Sequence, residues 1–168
     1  YGTTDVEALY DIVYAIDGSG QPGLVGVGYK YDRTNAYKSA IIVKFDMSLQ
    51  LVWQRRIFQG TSDFIFTSLA YVPGRGYYAT GFREAANRDS VIAKFSWAGI
   101  LQNARISNNT GFEDVIRDVA HDGTQIVAAG RLNGNGRQGE GVIYYFDYNL
   151  VPQTTYIVGH RSHLDQFM

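Results

Sequence analysis

The chain has 168 residues, with 15 Lys and Arg against 16 Asp and Glu and a net charge of −1. Its basic residues are scattered, which argues against a nucleic-acid or polybasic membrane surface, and no run approaches the ~18 apolar residues of a membrane-spanning helix. Cysteine is absent, so disulfides, zinc thiolates and thiol catalysis are excluded.

Lys and Glu number four each, while Gly (19), Tyr (13) and Phe (9) are abundant. That bias runs against helix and towards strands joined by tight turns. From the N-terminus, a β-run at "DIVYAI" (11–16) leads through a "DGSGQPG" turn to "LVGVGY", which halts on Gly28. A polar loop follows, then "AIIVKFD" (40–46) and a weaker run at "LVWQRRI". The same order recurs from "SLAYV" (68–72) through Gly81, "SVIAKFS" (90–96) and "ILQNARI". It recurs again from "DVAHD" (118–122) through Gly130, "GVIYYFD" (141–147) and "VPQTTYI". Ile41, Val43 and Phe45 alternate onto one face of their strand, and the opposite face carries Ile42. Ile92 and Ile143 fall likewise in the later repeats, so these strands are expected to be covered on both sides. No capped 3.6-residue periodicity occurs, and helix is not expected.

The intervals define one domain, 1–168, with repeats at 5–62, 63–113 and 114–164 and the start of a fourth at 165–168. Asp5, Asp63, Asp114 and Asp165 open the successive units. Recurrence in every unit points to turn aspartates accepting backbone N–H groups rather than to a catalytic pair. An all-β fold is expected, with three ~51-residue, four-stranded, blade-like repeats in a β-propeller-like array. A β-trefoil or β-prism is the alternative. Gly26, Ala79 and Ala128 lie two residues before the recurring Gly. They read as small residues on inner strands crowded towards an axis, with the Gly itself serving a positive φ, a bulge or a close approach.

"DGTQIVAAGRLNGNG…GVIYYFDYNL" and its two counterparts resemble the D-G…yvv-x-G…K-f-D-x-x-G…W blade repeats of bacterial and some protist secreted proteins. The resemblance implies a propeller fold and an extracellular or cell-surface location, not a reaction. The fourth-strand Trp of that pattern is kept as Trp53, with Ala104 and Thr155 read at the matching places. "YGTTD" matches "QGTSD", and "DQFM" matches "DFIF", so both ends fall at one phase of the repeat. The expectation is an array partial in itself, or one completed by other chains.

Two G-x-G-x-x-G matches, at 18–23 and 134–139, precede β-runs rather than helices and read as interstrand loops. His121, His160 and His163 offer too few ligands for a metal. The loop 133–140, with Asn133, Asn135 and Glu140, is the place a weak calcium site would occupy; otherwise no cofactor is expected. Asn108 is a glycosylation acceptor by sequence. Tyr29, Tyr31 and Tyr37, with Phe82 and Arg131, surround the variable loops and are the candidate contacts for a ligand or partner. These features suit a non-enzymatic extracellular scaffold for assembly or protein recognition. Its partners would be other copies of itself or further repeats, with no nucleic acid and no membrane insertion. A lectin-like carbohydrate module is the alternative, and an enzyme on a propeller scaffold the third reading.

Overall fold

The computed structural model describes residues 7–34, 36–57, 62–85, 88–107, 115–134 and 137–158, the side chains of 133–138 excepted. Twelve strands form three four-stranded antiparallel sheets, and the described residues contain no helix. The first sheet holds β1 (Glu7–Ile16), β2 (Pro22–Asp32), β3 (Tyr37–Phe45) and β4 (Leu51–Ile57). The second holds β5 (Asp63–Val72), β6 (Gly76–Glu84), β7 (Arg88–Phe95) and β8 (Leu101–Ile106). The third holds β9 (Val115–His121), β10 (Ile126–Gly134), β11 (Arg137–Phe146) and β12 (Pro152–Val158). Each sheet is a meander of neighbouring strands, and the three are not closed into a barrel.

Each sheet has a front face, turned towards the next sheet in chain order, and a rear face. The first sheet's front face carries Val25, Val27, Ala40 and Ile42, which pack on the second sheet's rear face of Tyr77, Ala79, Val91, Ala93 and Phe95. The second sheet's front face, with Tyr78 and Ile92, packs on the third sheet's Ile126, Ala128 and Phe146. The period-2 alternation of the sequence thus supplies two apolar layers per sheet, and stacking rather than a single sandwich buries them. Ile42 and Ile92 are covered as expected, whereas Ile143, on the third sheet's front face, is half-buried.

The recurring Gly has a steric cause. In each sheet the first and second strands slip register by one residue beside it, at Leu9/Asp11, Phe66/Ser68 and Ala129/Gly130. At this bulge a carbonyl of the first strand turns into the place a side chain would fill. A Cβ on Gly28, Gly81 or Gly130 would lie closer than 3.0 Å to the carbonyl oxygen of Ala8, Ile65 or Val115. The expected alternatives narrow to bulge and close approach, because none of the three has a positive φ. The Gly-bearing strands are second in each sheet. The first strands β1, β5 and β9 meet through hydrogen bonds around Ser68.

The turns between third and fourth strands share one build. Asp46 and Asp147 accept two backbone N–H groups each, from Ser48 and Gln50 and from Asn149 and Val151. The fourth turn residue then takes a positive φ, at Leu49 (62°), Gly99 (71°) and Leu150 (63°). Counted from this turn, the residues equivalent to Trp53 are Asn103 and Thr154, the partners of Lys94 and Tyr145, and not Ala104 and Thr155. The position does the same work twice. Trp53 covers Gly99 in the next sheet's turn, and Asn103 donates its side-chain amide to Asn149 O at 2.6 Å in the turn after that.

Left-handed backbone at a β-unbranched, non-Gly residue costs about 1 kcal/mol. Leu49→Gly is therefore expected to stabilise the dilute chain by roughly that amount in urea denaturation. Leu150→Gly is expected to lose about 2–4 kcal/mol, since that side chain is buried against the second sheet.

Candidate functional site

The residues expected to contact a ligand are spread over all three sheets, and two of them, Tyr29 and Phe82, are parts of a charge network. Tyr29, Phe82 and Arg131 follow the recurring Gly of their sheets and are positional equivalents. Lys38 Nζ lies 5.6 Å above the Tyr29 ring and 3.1 Å from Asp63, with Glu84 at 3.9 Å. Glu84 in turn pairs with Arg88 at 2.7 Å, whose guanidinium covers Phe82 at 5.0 Å. Tyr29 and Phe82 are thus joined across two sheets. Burial opposes the charge on Lys38, but its hydrogen bond to Asp63 and the charges of Asp63 and Glu84 win and raise its pKa. Asp63 also accepts the Lys38 backbone N–H at 2.7 Å, so it links two repeats instead of capping a turn in its own.

Tyr31 and Tyr37 are half-buried at the edges of β2 and β3, and Arg131 is exposed beside Gly139. None of these five residues lines either of two pockets. One, of about 250 Å³, opens between the second and third sheets over Ile92, Ile106, Ile116 and Tyr144. The other, of about 150 Å³, lies on the first sheet's rear face over Leu9, Ile41, Val43 and Phe45. The loop at 18–23 is a turn in which Asp17 accepts the Ser19 and Gln21 N–H groups. Asp5, Asn108, Asp114, Asp165, His160 and His163 lie outside the described residues, as do the side chains of most of the loop 133–140. Among the described residues, no three His, Asp or Glu side chains gather in a metal-ligand group.

One feature escaped the sequence reading, and a second was expected there only in outline. The first is the line of hydrogen bonds where the first strands meet. Leu69 N–H donates to Asp11 Oδ2 at 2.8 Å, and the Ser68 hydroxyl stands 3.3 Å from the same oxygen. Ser68 donates to Asp118 Oδ1 at 2.6 Å, and Val119 N–H reaches Ser68 Oγ at 3.3 Å. Asp11, Ser68 and Asp118 are equivalent positions, each next to its bulge. In both sheet-to-sheet junctions, the residue at this position receives the N–H of the following residue's equivalent in the next sheet. The signal was present: these three residues are the polar initials of the three opening β-runs.

The second feature is the pair of outer faces. Among the described strands, the second sheet is what packs on the first, and it does so from the front. The rear-face positions equivalent to the buried cores of the other two sheets are Leu24, Ile41, Val43 and Phe45, of which Ile41 and Val43 are themselves buried and Leu24 and Phe45 half-buried. Around them Leu9, Ile12, Tyr14, Ile16 and Leu49 are exposed. The third sheet's front face carries Val127, Ala129, Ile143, Tyr145 and Tyr156, the last two in edge-to-face contact at 5.6 Å. No known protein family matches this chain, and no curated protein is significantly similar to it.

Proposed function

We propose that this chain is a non-enzymatic structural scaffold of propeller-like blades that assembles with further units of its own kind. The observation that carries this reading is the repetition of one junction. Front face meets rear face twice, with the same turn contacts and the same first-strand hydrogen bonds, and an apolar face of each kind is left at the two ends of the stack. The exposed apolar side chains at the rim of the rear face, Leu9, Ile12, Tyr14, Ile16 and Leu49, suit an interaction surface. Sheets that stack without closing among themselves count against a trefoil. The extracellular or cell-surface location rests on the resemblance of the repeat to secreted proteins.

A lectin-like reading would use Tyr31 and Tyr37 as a stacking platform, and the half-burial of both rings gives it less support. An enzymatic reading finds its best-placed polar groups, Asp11, Ser68 and Asp118, holding strands together through backbone N–H groups. Light scattering after size exclusion, at neutral and mildly acidic pH, tests the proposal. A stable particle of two or more copies is expected. A monomer at every concentration and both pH values would overturn it.

A further inference from the structure

Resting on the reading above, we propose that the partner is a second copy of this chain, seated head to tail, and that the seam is strengthened by acid. The front face of one copy's third sheet lies on the rear face of the other's first sheet, and Asp118 of one copy meets Asp11 of the next.

Positions with twins inside the stack specify this seat. Leu150 is fully buried where its turn meets the second sheet, while its equivalent Leu49 is 66% exposed, although both hold the same left-handed backbone. Tyr71 donates its hydroxyl to Ile16 O of the preceding sheet at 2.8 Å, and its equivalent Tyr14 is 54% exposed. On the opposite face, Ala129 is exposed where its equivalents Val27 and Thr80 are fully buried. Each is an interface position at which the described strands place no neighbouring sheet.

The first-strand hydrogen bonds fix the direction. Asp11 accepts an N–H from the second sheet and Ser68 one from the third, so Asp118 is placed to accept the Ile12 N–H of a following first sheet. Ile12 N–H now bonds its own Asp11 at 2.8 Å, which is no obstacle. Val119 N–H shows the shared arrangement, reaching both its own Asp118 and Ser68. Symmetric pairings do not repeat this bond: front to front brings Asp118 no following-sheet N–H donor, and rear to rear sets one N–H donor against another. A head-to-tail contact must close by rotation or grow without limit. Two copies supply six sheets, within the 4–8 of closed rings.

One element of the seam differs from its twins. Inside the chain Ser68 stands between Asp11 and Asp118 at hydrogen-bond distance from both. At the seam the two carboxylates adjoin directly. The charged groups nearby are Arg117, on the bulge beside Asp118, and Lys30 and Arg131 further along the ladders, with Lys30 already paired to Glu7. Neighbouring carboxylates favour sharing a proton over both remaining ionised. Assembly therefore takes up a proton, and by linkage it tightens as pH falls.

The test is sedimentation velocity at pH 7.5 and 5.5, with circular dichroism confirming that each variant folds. Wild type is expected to associate at least ~10-fold more tightly at pH 5.5. Asp118→Ser, which copies Ser68, should associate tightly at both. Leu49→Glu blocks the rear face and Ala129→Glu the front face, both at positions exposed in the single chain. Each alone should be monomeric, and a mixture of the two should pair through its one intact junction. Association with no pH dependence, or either blocked variant assembling alone as wild type does, would overturn the proposal while leaving self-assembly standing. A wild type that is monomeric throughout would remove the underlying reading as well.

Discussion

Gly81→Ala is expected to cost the fold roughly 3 kcal/mol or more, placing it among the most damaging single changes available here. The added methyl would sit against the Ile65 carbonyl oxygen closer than 3.0 Å, and the neighbours at that point are backbone atoms, Phe66 Cα among them. A flexible side chain could swing aside, but a ladder carbonyl can move only by opening the bulge. That would disturb Phe66 and Gly81, which face each other across β5 and β6. Phe66 is fully buried and meets Phe95 edge-to-face at 5.8 Å, so the damage reaches the largest apolar layer. Gly141→Ala is the matched control. Its Cβ would meet Val158 at 3.5 Å, an ordinary contact, and stability should stay within ~0.5 kcal/mol. Urea denaturation of both variants measures the difference, and equal losses would show that the bulge is not the cause.

The second large effect concerns Asp17. Lys44 is 3% exposed between the first two sheets, and its ammonium meets Asp17 Oδ2 at 2.6 Å. Removing one member of a buried pair leaves an uncompensated charge, whereas replacing the charge by an apolar group of similar size is often neutral. Asp17→Asn should cost roughly 2–4 kcal/mol, the lower part of that range reflecting its partial exposure. Lys44→Met in the same background should recover most of the loss. The Lys44 hydrogen bond first, then that of Ser19, with backbone N–H groups adding to them, hold the Asp17 carboxyl well below the usual carboxylate range. A lowered folded pKa gives stability that is complete above ~pH 4 and fades as pH falls further. The wild type should therefore lose more stability than Asp17→Asn in acid denaturation below that point, where an equal loss would refute the assignment.

Much of the architecture was legible because it is local. The alternation in "AIIVKFD" and its counterparts placed β3, β7 and β11, and the run "LVWQRRI" coincides with β4. The recurring Gly marked a true steric event, although only the pairing of two strands shows which carbonyl forbids a side chain. Trp53 was matched one residue off in the other repeats, since equivalence in the fourth strand is counted from the turn that precedes it. The role of Asp63 was beyond sequence reasoning, because its partner Lys38 lies 25 residues away in another sheet. Tyr29 and Phe82 stand at equivalent positions of two sheets, but the cations between them come from tertiary pairing. Leu49 and Leu150 showed a signal that went unused: leucine where a left-handed turn favours glycine is a reason to ask what the side chain touches.

Among the described strands, the second sheet is packed by another sheet on both faces, while its neighbours are each packed by one. During synthesis the first sheet can form its hairpins as it emerges, but it holds an uncovered apolar front until β5 to β7 arrive. The second sheet's own apolar front, with Tyr78 and Ile92, then stays uncovered until the third sheet is made. Once folded, the order of strength does not follow the order of birth. The amides of β6 and β7 should be the last to exchange their hydrogens with solvent, and the outer sheets should open singly without releasing the middle one.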